Sequence, residues 1–408
     1  MSRLRFEVGL IAIVALALMA LIVGKSPAAP IYDEGPFLEN LALMNELGLS
    51  REFLVEMGGQ SPGPLYQMVH AVAQPLSRAR IRPMRLINAA CLLGAVLVLA
   101  LIFGGAGSGG GIATAGRMFA IPGVWVVGGM ALTEAPAMLF ASSGAVLLIW
   151  TVRRTGTLAA DCALSAVAGS LVALAILGRQ PYLVVPAVAW ILAYQASRRE
   201  VVLLTAFTVA ASVAPLLVFL TWGGLVPPML GNVQSGLNPY FALLGFGYAG
   251  VFTVFLAPRW FQSNRGILAA GLAVVVLGVG VNAWTRTVLH LPMATVARPL
   301  LGPVVSDFTM VAFPVVFVVF GLYFVASSVM NVRARSGDTE FLFYTLATLA
   351  IILTCAKSSA QFSSRYVVQA APFLVAMTAG FAPAGIGRIA RLLAGVALGV
   401  SSLLSYYG

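Results

Sequence analysis

The chain has 408 residues, of which 60% are hydrophobic and only 9% charged, with a net charge of +11. Ordinary soluble domains carry about 25% charged residues, so this composition excludes a soluble domain and points to one integral membrane unit spanning 1–408. The arginines sit mostly in pairs at the ends of apolar runs, where they set orientation; nucleic acid is thereby excluded as the partner, and anionic lipid headgroups or a phosphate-bearing substrate are favoured.

The first apolar run, Val8–Gly24, follows a basic start and precedes small residues at Ala28–Ala29. It has the outline of a signal peptide but is long for one, and many spans follow, so it is expected to be retained as the first span. Apolar stretches long enough to cross a bilayer recur to the end of the chain. They predict an all-α polytopic protein of about 11–13 transmembrane helices, near 7–24, 86–104, 112–130, 135–152, 160–178, 181–196, 201–222, 239–257, 266–283, 308–330, 341–356, 366–384 and 389–406.

Arg153–Arg154, Arg198–Arg199, Arg259 with Arg265, Arg333 with Arg335, and Arg388 with Arg391 then fall in alternate short connections. The positive-inside rule assigns these, and the N-terminus, to the cytoplasm. The outer face receives the long segment 25–85, expected to hold amphipathic helices at the interface. In "GPFLENLALMNELGLS", Phe37, Leu41 and Met44 share one face. "GPLYQMVHAVAQPLS" reads as a second such helix.

The chain has only 13 acids, and six of them lie between Asp33 and Glu56. Asp33 on its own suits a helix N-cap. The same topology, however, brings Glu134 in "LTEAP", Arg179–Gln180 in "LGRQPY", Arg365–Tyr366 in "SSRYVV" and Arg85 to the same outer face. Carboxylates and arginines at membrane depth are costly and mark function. Arginine forks hold phosphate oxygens, and a nearby carboxylate can take a proton from an attacking hydroxyl. Glycosyl transfer from a polyprenyl-phosphate sugar needs these parts. The three cysteines and two histidines offer neither disulfide framework nor metal spacing.

In order along the chain, "YDE" at Tyr32–Glu34, "SPGPLY" at Ser61–Tyr66, "MRLINAA" at Met84–Ala90, "LTE" at Leu132–Glu134 and Arg179–Gln180 resemble motifs of the GT-C superfamily of polytopic glycosyltransferases. Within it the chain looks most like the dolichyl-phosphate-glucose-dependent α-1,2-glucosyltransferases, with the protein O-mannosyltransferases and lipid A aminoarabinose transferases sharing the layout. It lacks the sizeable outer soluble domain of many members, and Gly35–Pro36 follow the acidic pair where relatives continue with bulky residues. The resemblance implies a GT-C-like fold and one catalytic base from the pair Asp33 and Glu34, with Asp33 favoured. It implies donor-phosphate contacts from Arg179, Arg365 and Arg85, and orientation of sugar or acceptor by Glu134, Gln180, Tyr66 and Tyr366. It implies no cofactor and no metal. The expected partners are a polyprenyl-phosphate sugar donor, a glycan or lipid-linked acceptor, and membrane lipids. The expected location is an inner (plasma) membrane, with the active site facing the periplasm or exterior. The rival reading is a transporter or flippase; such proteins tend to show paired repeats and midplane charges, whereas no repeat is visible and the charges gather at the outer rim.

Overall fold

The computed structural model describes residues 2–103, 110–194, 197–230, 236–261, 271–280, 294–357, 362–381 and 386–408. Among them the regular structure is helical throughout. The first helix, α1 (Ser2–Gly24), leads into the outer segment, where four short helices form: α2 (Glu34–Leu47), α3 (Arg51–Glu56), α4 (Leu65–Val72) and α5 (Gln74–Ser77). Phe37 and Leu41 of α2 are buried, as their shared face requires, and Gly48 ends the helix with φ 64°.

The long helix α6 (Ile81–Phe103) returns across the bundle. It is followed by α7 (Gly110–Ala115), a 3-10 turn at Gly116–Ala120 and α8 (Pro122–Gly129). This stretch bends by 87° at Ile121–Pro122, where proline withholds the backbone donor that a straight helix needs. Next come α9 (Glu134–Arg153), α10 (Leu158–Gly178), α11 (Val184–Ala189) and α12 (Arg198–Trp222). The remainder comprises α13 (Pro239–Leu256), α14 (Gly271–Gly280), α15 (Ala294–Ala334), α16 (Thr339–Leu353), α17 (Arg365–Val368), α18 (Ala371–Thr378) and α19 (Ile386–Tyr407).

Among the described residues, eight helices are long and apolar enough to cross a membrane, and the bent pair is a further candidate. Apolar helical stretches at Gly9–Gly24, Gln180–Ala193, Gly271–Gly280 and Ala371–Phe381 fall on the other expected spans, the ends of the expected 266–283 span lying outside the described residues. Each expected span thus has a helical counterpart among the described residues. Several spans are broken by proline or continue as 3-10 turns, as at Gln180–Leu183 before α11. The interior is apolar, and its largest sealed side chains include Trp125, Trp260, Phe207 and Phe343. Leu97, Leu101, Leu216, Leu217 and Leu220 remain exposed on α6 and α12; on a membrane protein such residues face lipid rather than water.

Candidate functional site

The segment "APIYDEGP" turns at Tyr32, whose φ of 49° lies in the left-handed region. Such a conformation in a non-glycine residue costs about 1–3 kcal/mol and tends to cluster at functional sites. Helix α2 then starts at Glu34, with Pro36 tolerated in its first turn. The two adjacent acids beyond Tyr32 enter different environments.

Glu34 turns inward and is fully buried. Its Oε1 accepts from Arg85 Nε (2.8 Å) and from the Ala131 amide (2.8 Å), while Oε2 accepts from Arg85 Nη2 (2.5 Å) and the Ile31 amide (2.9 Å). Arg85, equally buried, donates its remaining hydrogens to Ser26 Oγ (2.7 Å), the Pro27 carbonyl (2.7 Å) and the Ala29 carbonyl (3.4 Å). Arginine has five N–H donors and a carboxylate about four lone-pair sites, so this pair is saturated from within the protein. It ties α1's exit, α2, α6 and the α8–α9 connection together. Neither residue lines the cavity described below, and neither has a donor or lone pair left for substrate.

Tyr66 is also sealed, packed against Phe37 (ring centroids 5.1 Å apart) and His70 (4.2 Å). Burial, and after it the Glu34 carboxylate, push its phenol well above the ordinary tyrosine range. The structure therefore does not bring Glu34, Arg85 or Tyr66 to an accessible surface.

Asp33 occupies the N-cap position of α2 but makes no capping hydrogen bond. Its side chain, 48% exposed, instead pairs through Oδ2 with Arg365 Nη2. Arg365 Nε lies 3.8 Å from Glu134 Oε1, and Arg179 Nη2 reaches the same oxygen at 2.8 Å. The result is an alternating row, Asp33–Arg365–Glu134–Arg179, drawn from four elements. Burial works against the Arg365 charge, but Glu134 and then Asp33 more than offset it and hold the guanidinium above its ordinary range. Glu134 is almost fully buried, yet its Oε1 has no well-aligned hydrogen bond. Tyr366 sits between the two arginines, each guanidinium 5.6 Å from its ring centre.

Local sequence explains the placement. Glu134 opens α9, with Pro136 in the first turn, and Arg179 ends α10 in an extended conformation (φ −152°) before Pro181. Gly63 of "SPGPLY" passes so close to this end that a Cβ would lie 2.4 Å from the Leu177 carbonyl oxygen. Only glycine permits that approach, and it lets Gln180 donate to the Ser61 carbonyl (2.5 Å) and to that of Leu225 (3.1 Å). The Gln369 amide, oriented by the donors facing it, accepts from Arg179 Nη2 (2.8 Å) and Nε (3.0 Å).

Arg179, Gln180, Tyr366 and Gln369 supply polar groups to the lining of a cavity of about 520 Å³, whose walls are largely apolar, with Leu183, Val184, Leu225 and Val226 among them. Lys357 joins the same lining and has no ion pair among the described residues. Sequence reasoning missed it, although a lone lysine at the outer end of a span carries the same signal that singled out Arg365. Arg365, Glu134 and Asp33 run on from Arg179 outside the lining. Among the described residues no cluster of three or more His, Cys, Asp or Glu is placed to hold a metal. His290 lies outside the described residues.

A carboxylate row ending in arginine, beside an apolar cavity with a second cation, can grip an amphiphilic anion and take a proton from a nucleophile near its head. No protein-family model matches the chain, and no curated protein matches it. Among solved structures it is similar to ArnT from Cupriavidus metallidurans in the apo state, with 14% identity, 91% of this chain and 77% of that chain covered, and a TM-score of 0.45. It is similar also to ArnT from the same organism bound to undecaprenyl phosphate, with 14% identity, coverage of 96% and 78%, and a TM-score of 0.43.

Proposed function

We propose that the protein is a membrane glycosyltransferase of GT-C type that moves a sugar from a polyprenyl-phosphate donor to a lipid-linked or cell-envelope acceptor at the outer face of an inner membrane. The observation that carries this reading is a largely apolar cavity whose lining holds Arg179 and Lys357, with the acid–arginine row running on from Arg179. A polyprenyl chain suits the apolar walls. A phosphate suits the two unlike cations, one a planar fork and one a point charge.

In this reading Asp33 is the base. Its carboxylate is half exposed and has one partner, so it retains lone pairs for an acceptor hydroxyl. The hydroxyl proton passes to Asp33 as its oxygen bonds to the anomeric carbon, and the carbon–oxygen bond to the phosphate breaks. Polyprenyl phosphate departs with the bonding electrons, its charge met by Arg179 and Lys357. Arg365 orients Asp33. Glu134 fixes both arginines through its Oε1. Tyr366 and Gln180 shape the head of the site. Glu34 and Arg85 serve as the buried brace on which the loop is mounted, and Tyr66 packs beneath it.

The test is purified protein in nanodiscs supplied with a panel of radiolabelled polyprenyl-phosphate sugars and membrane-derived acceptors. Release of polyprenyl phosphate with label moved to the acceptor supports the proposal, provided that Arg179→Gln abolishes it. Donor crossing the bilayer of liposomes intact, with no label transferred, would overturn it in favour of a flippase.

A further inference from the structure

At the opposite end of the bundle lies a cluster of positive charge that the reaction does not use. Helix α19 runs alongside the bent α7–α8 segment. A Cβ at Gly395 would meet the Ala120 carbonyl at 2.1 Å, one at Gly399 the Trp125 ring at 2.1 Å, and one at Gly129 the Leu403 side chain at 2.6 Å. That register is parallel, and continued one turn back it sets Arg391 and Arg388 beside Arg117. The Arg388 charge acts on Arg117, and the Arg391 charge on Arg388. At its other end α19 reaches the outer loop, where the Tyr407 hydroxyl donates to the Gly129 carbonyl and Arg85 lies over the Tyr407 ring. Some 19 residues separate Arg388 from Tyr407, about 28 Å of helix. The three arginines therefore sit at the far membrane face.

Their distinction is buried donors without counter-charge. Arg153 pairs with Glu340, Arg154 and Arg199 with Asp161 (3.1 and 2.6 Å), and Arg335 with Asp338. Glu200 is taken by Ser197 and Arg199. Arg117, Arg388 and Arg391 meet no carboxylate among the described residues. Arg117 is only 6% exposed, and its Nε and Nη1 have no acceptor among the described residues. Arg388 Nε and Arg391 Nε and Nη2 are likewise buried without an acceptor among them. Burying unpaired guanidinium donors together is strongly unfavourable, in desolvation and in mutual repulsion. An anion that accepts from several of them at once removes both costs.

We infer that Arg117, Arg388 and Arg391 form a binding site for the phosphate of an anionic phospholipid headgroup in the leaflet opposite the candidate active site. A phosphate diester offers the acceptor oxygens that the three forks lack. A lipid source fits because the site lies at the end of two spans, and α19 presents Leu393 and Leu398 outward, where acyl chains can lie. Basic pockets between spans are a recurrent mode of headgroup recognition. Occupancy would fasten α19 to the bent α7–α8 segment and so brace, from the opposite side, the helix whose tip meets Arg85.

The experiment compares the full-length protein in nanodiscs of phosphatidylcholine alone and with phosphatidylglycerol added. It reads the melting temperature in each and, by native mass spectrometry, the retained lipid. Wild type is expected to melt higher with phosphatidylglycerol and to carry a bound phosphatidylglycerol. The triple variant Arg117→Gln, Arg388→Gln, Arg391→Gln is expected to lose both effects, and in phosphatidylcholine alone to melt no lower than wild type. Arg198→Gln, which removes an exposed charge at the same end, should keep both. Should the triple variant fail to fold, Arg388→Gln with Arg391→Gln is read in its place. A phosphatidylglycerol effect that persists in the variants, or that Arg198→Gln also abolishes, would overturn the site. An equal rise with inorganic phosphate in phosphatidylcholine nanodiscs would overturn the lipid as its source.

Discussion

Asp33 and Glu34 are neighbours in the chain, yet the structure gives them opposite surroundings. Glu34 is sealed and spends every lone pair on Arg85 and two backbone amides. Asp33 is half exposed, caps nothing and meets a single arginine. The difference teaches that paired carboxylates need not share a role. A carboxylate with a full set of donors is structural, because taking a proton would break bonds it already makes. One with spare lone pairs is available for chemistry.

The contrast can be broken first at the brace. Arg85→Ala leaves Glu34 charged and buried without its counter-charge, held only by the Ala131 and Ile31 amides, a change that costs about 3–5 kcal/mol, and a large drop in melting temperature is expected. Arg85→Lys should rescue little, since three donors cannot replace five. A variant that melts like wild type would show that the brace does not hold the loop.

Beneath the same loop, His70 sharpens the comparison through pH. Burial, opposed by its hydrogen bond to Asn88, lowers its pKa from 6.5 to about 4. The unfolded chain therefore binds the proton at higher pH than the folded one, and stability falls as pH drops from about 6.5 towards 4. The loss is up to about 3 kcal/mol. His70→Gln should flatten that part of the melting-temperature profile, and an unchanged slope would remove His70 as its cause.

The smallest effect is expected at the cavity. Lys357→Gln should weaken donor binding about tenfold, or ~1.4 kcal/mol, with turnover at saturating donor little changed. The check is a titration of polyprenyl-phosphate sugar, and an unaltered half-saturation point would take Lys357 out of the phosphate site.

Much of the architecture was legible in the sequence. Hydropathy marked each apolar segment, because lipid demands long unbroken runs, and the 3.6-residue spacing of Phe37 and Leu41 marked the buried face of α2. Span lengths were less legible, since Pro122 and Pro181 act on the backbone and barely alter hydropathy. Arg85 and Arg365 carry the same kind of signal in the sequence, an arginine at an outer span end. They differ because five acceptors converge on Arg85 from residues distant in the chain, which no local pattern reveals. Lys357 escaped notice because a single lysine after "LTCA" forms no motif until the fold places it in the lining of the same cavity as Arg179.

The most direct test of Asp33 as the base compares Asp33→Asn with Glu34→Gln, measuring polyprenyl-phosphate release per folded molecule alongside melting temperature. Asp33→Asn is expected to melt like wild type and to lose roughly 10²–10⁴-fold in turnover, the scale of general-base catalysis. Glu34→Gln is expected to melt lower, with turnover per folded molecule largely kept. Full turnover in Asp33→Asn, or a well-folded but inactive Glu34→Gln, would overturn the assignment of the base.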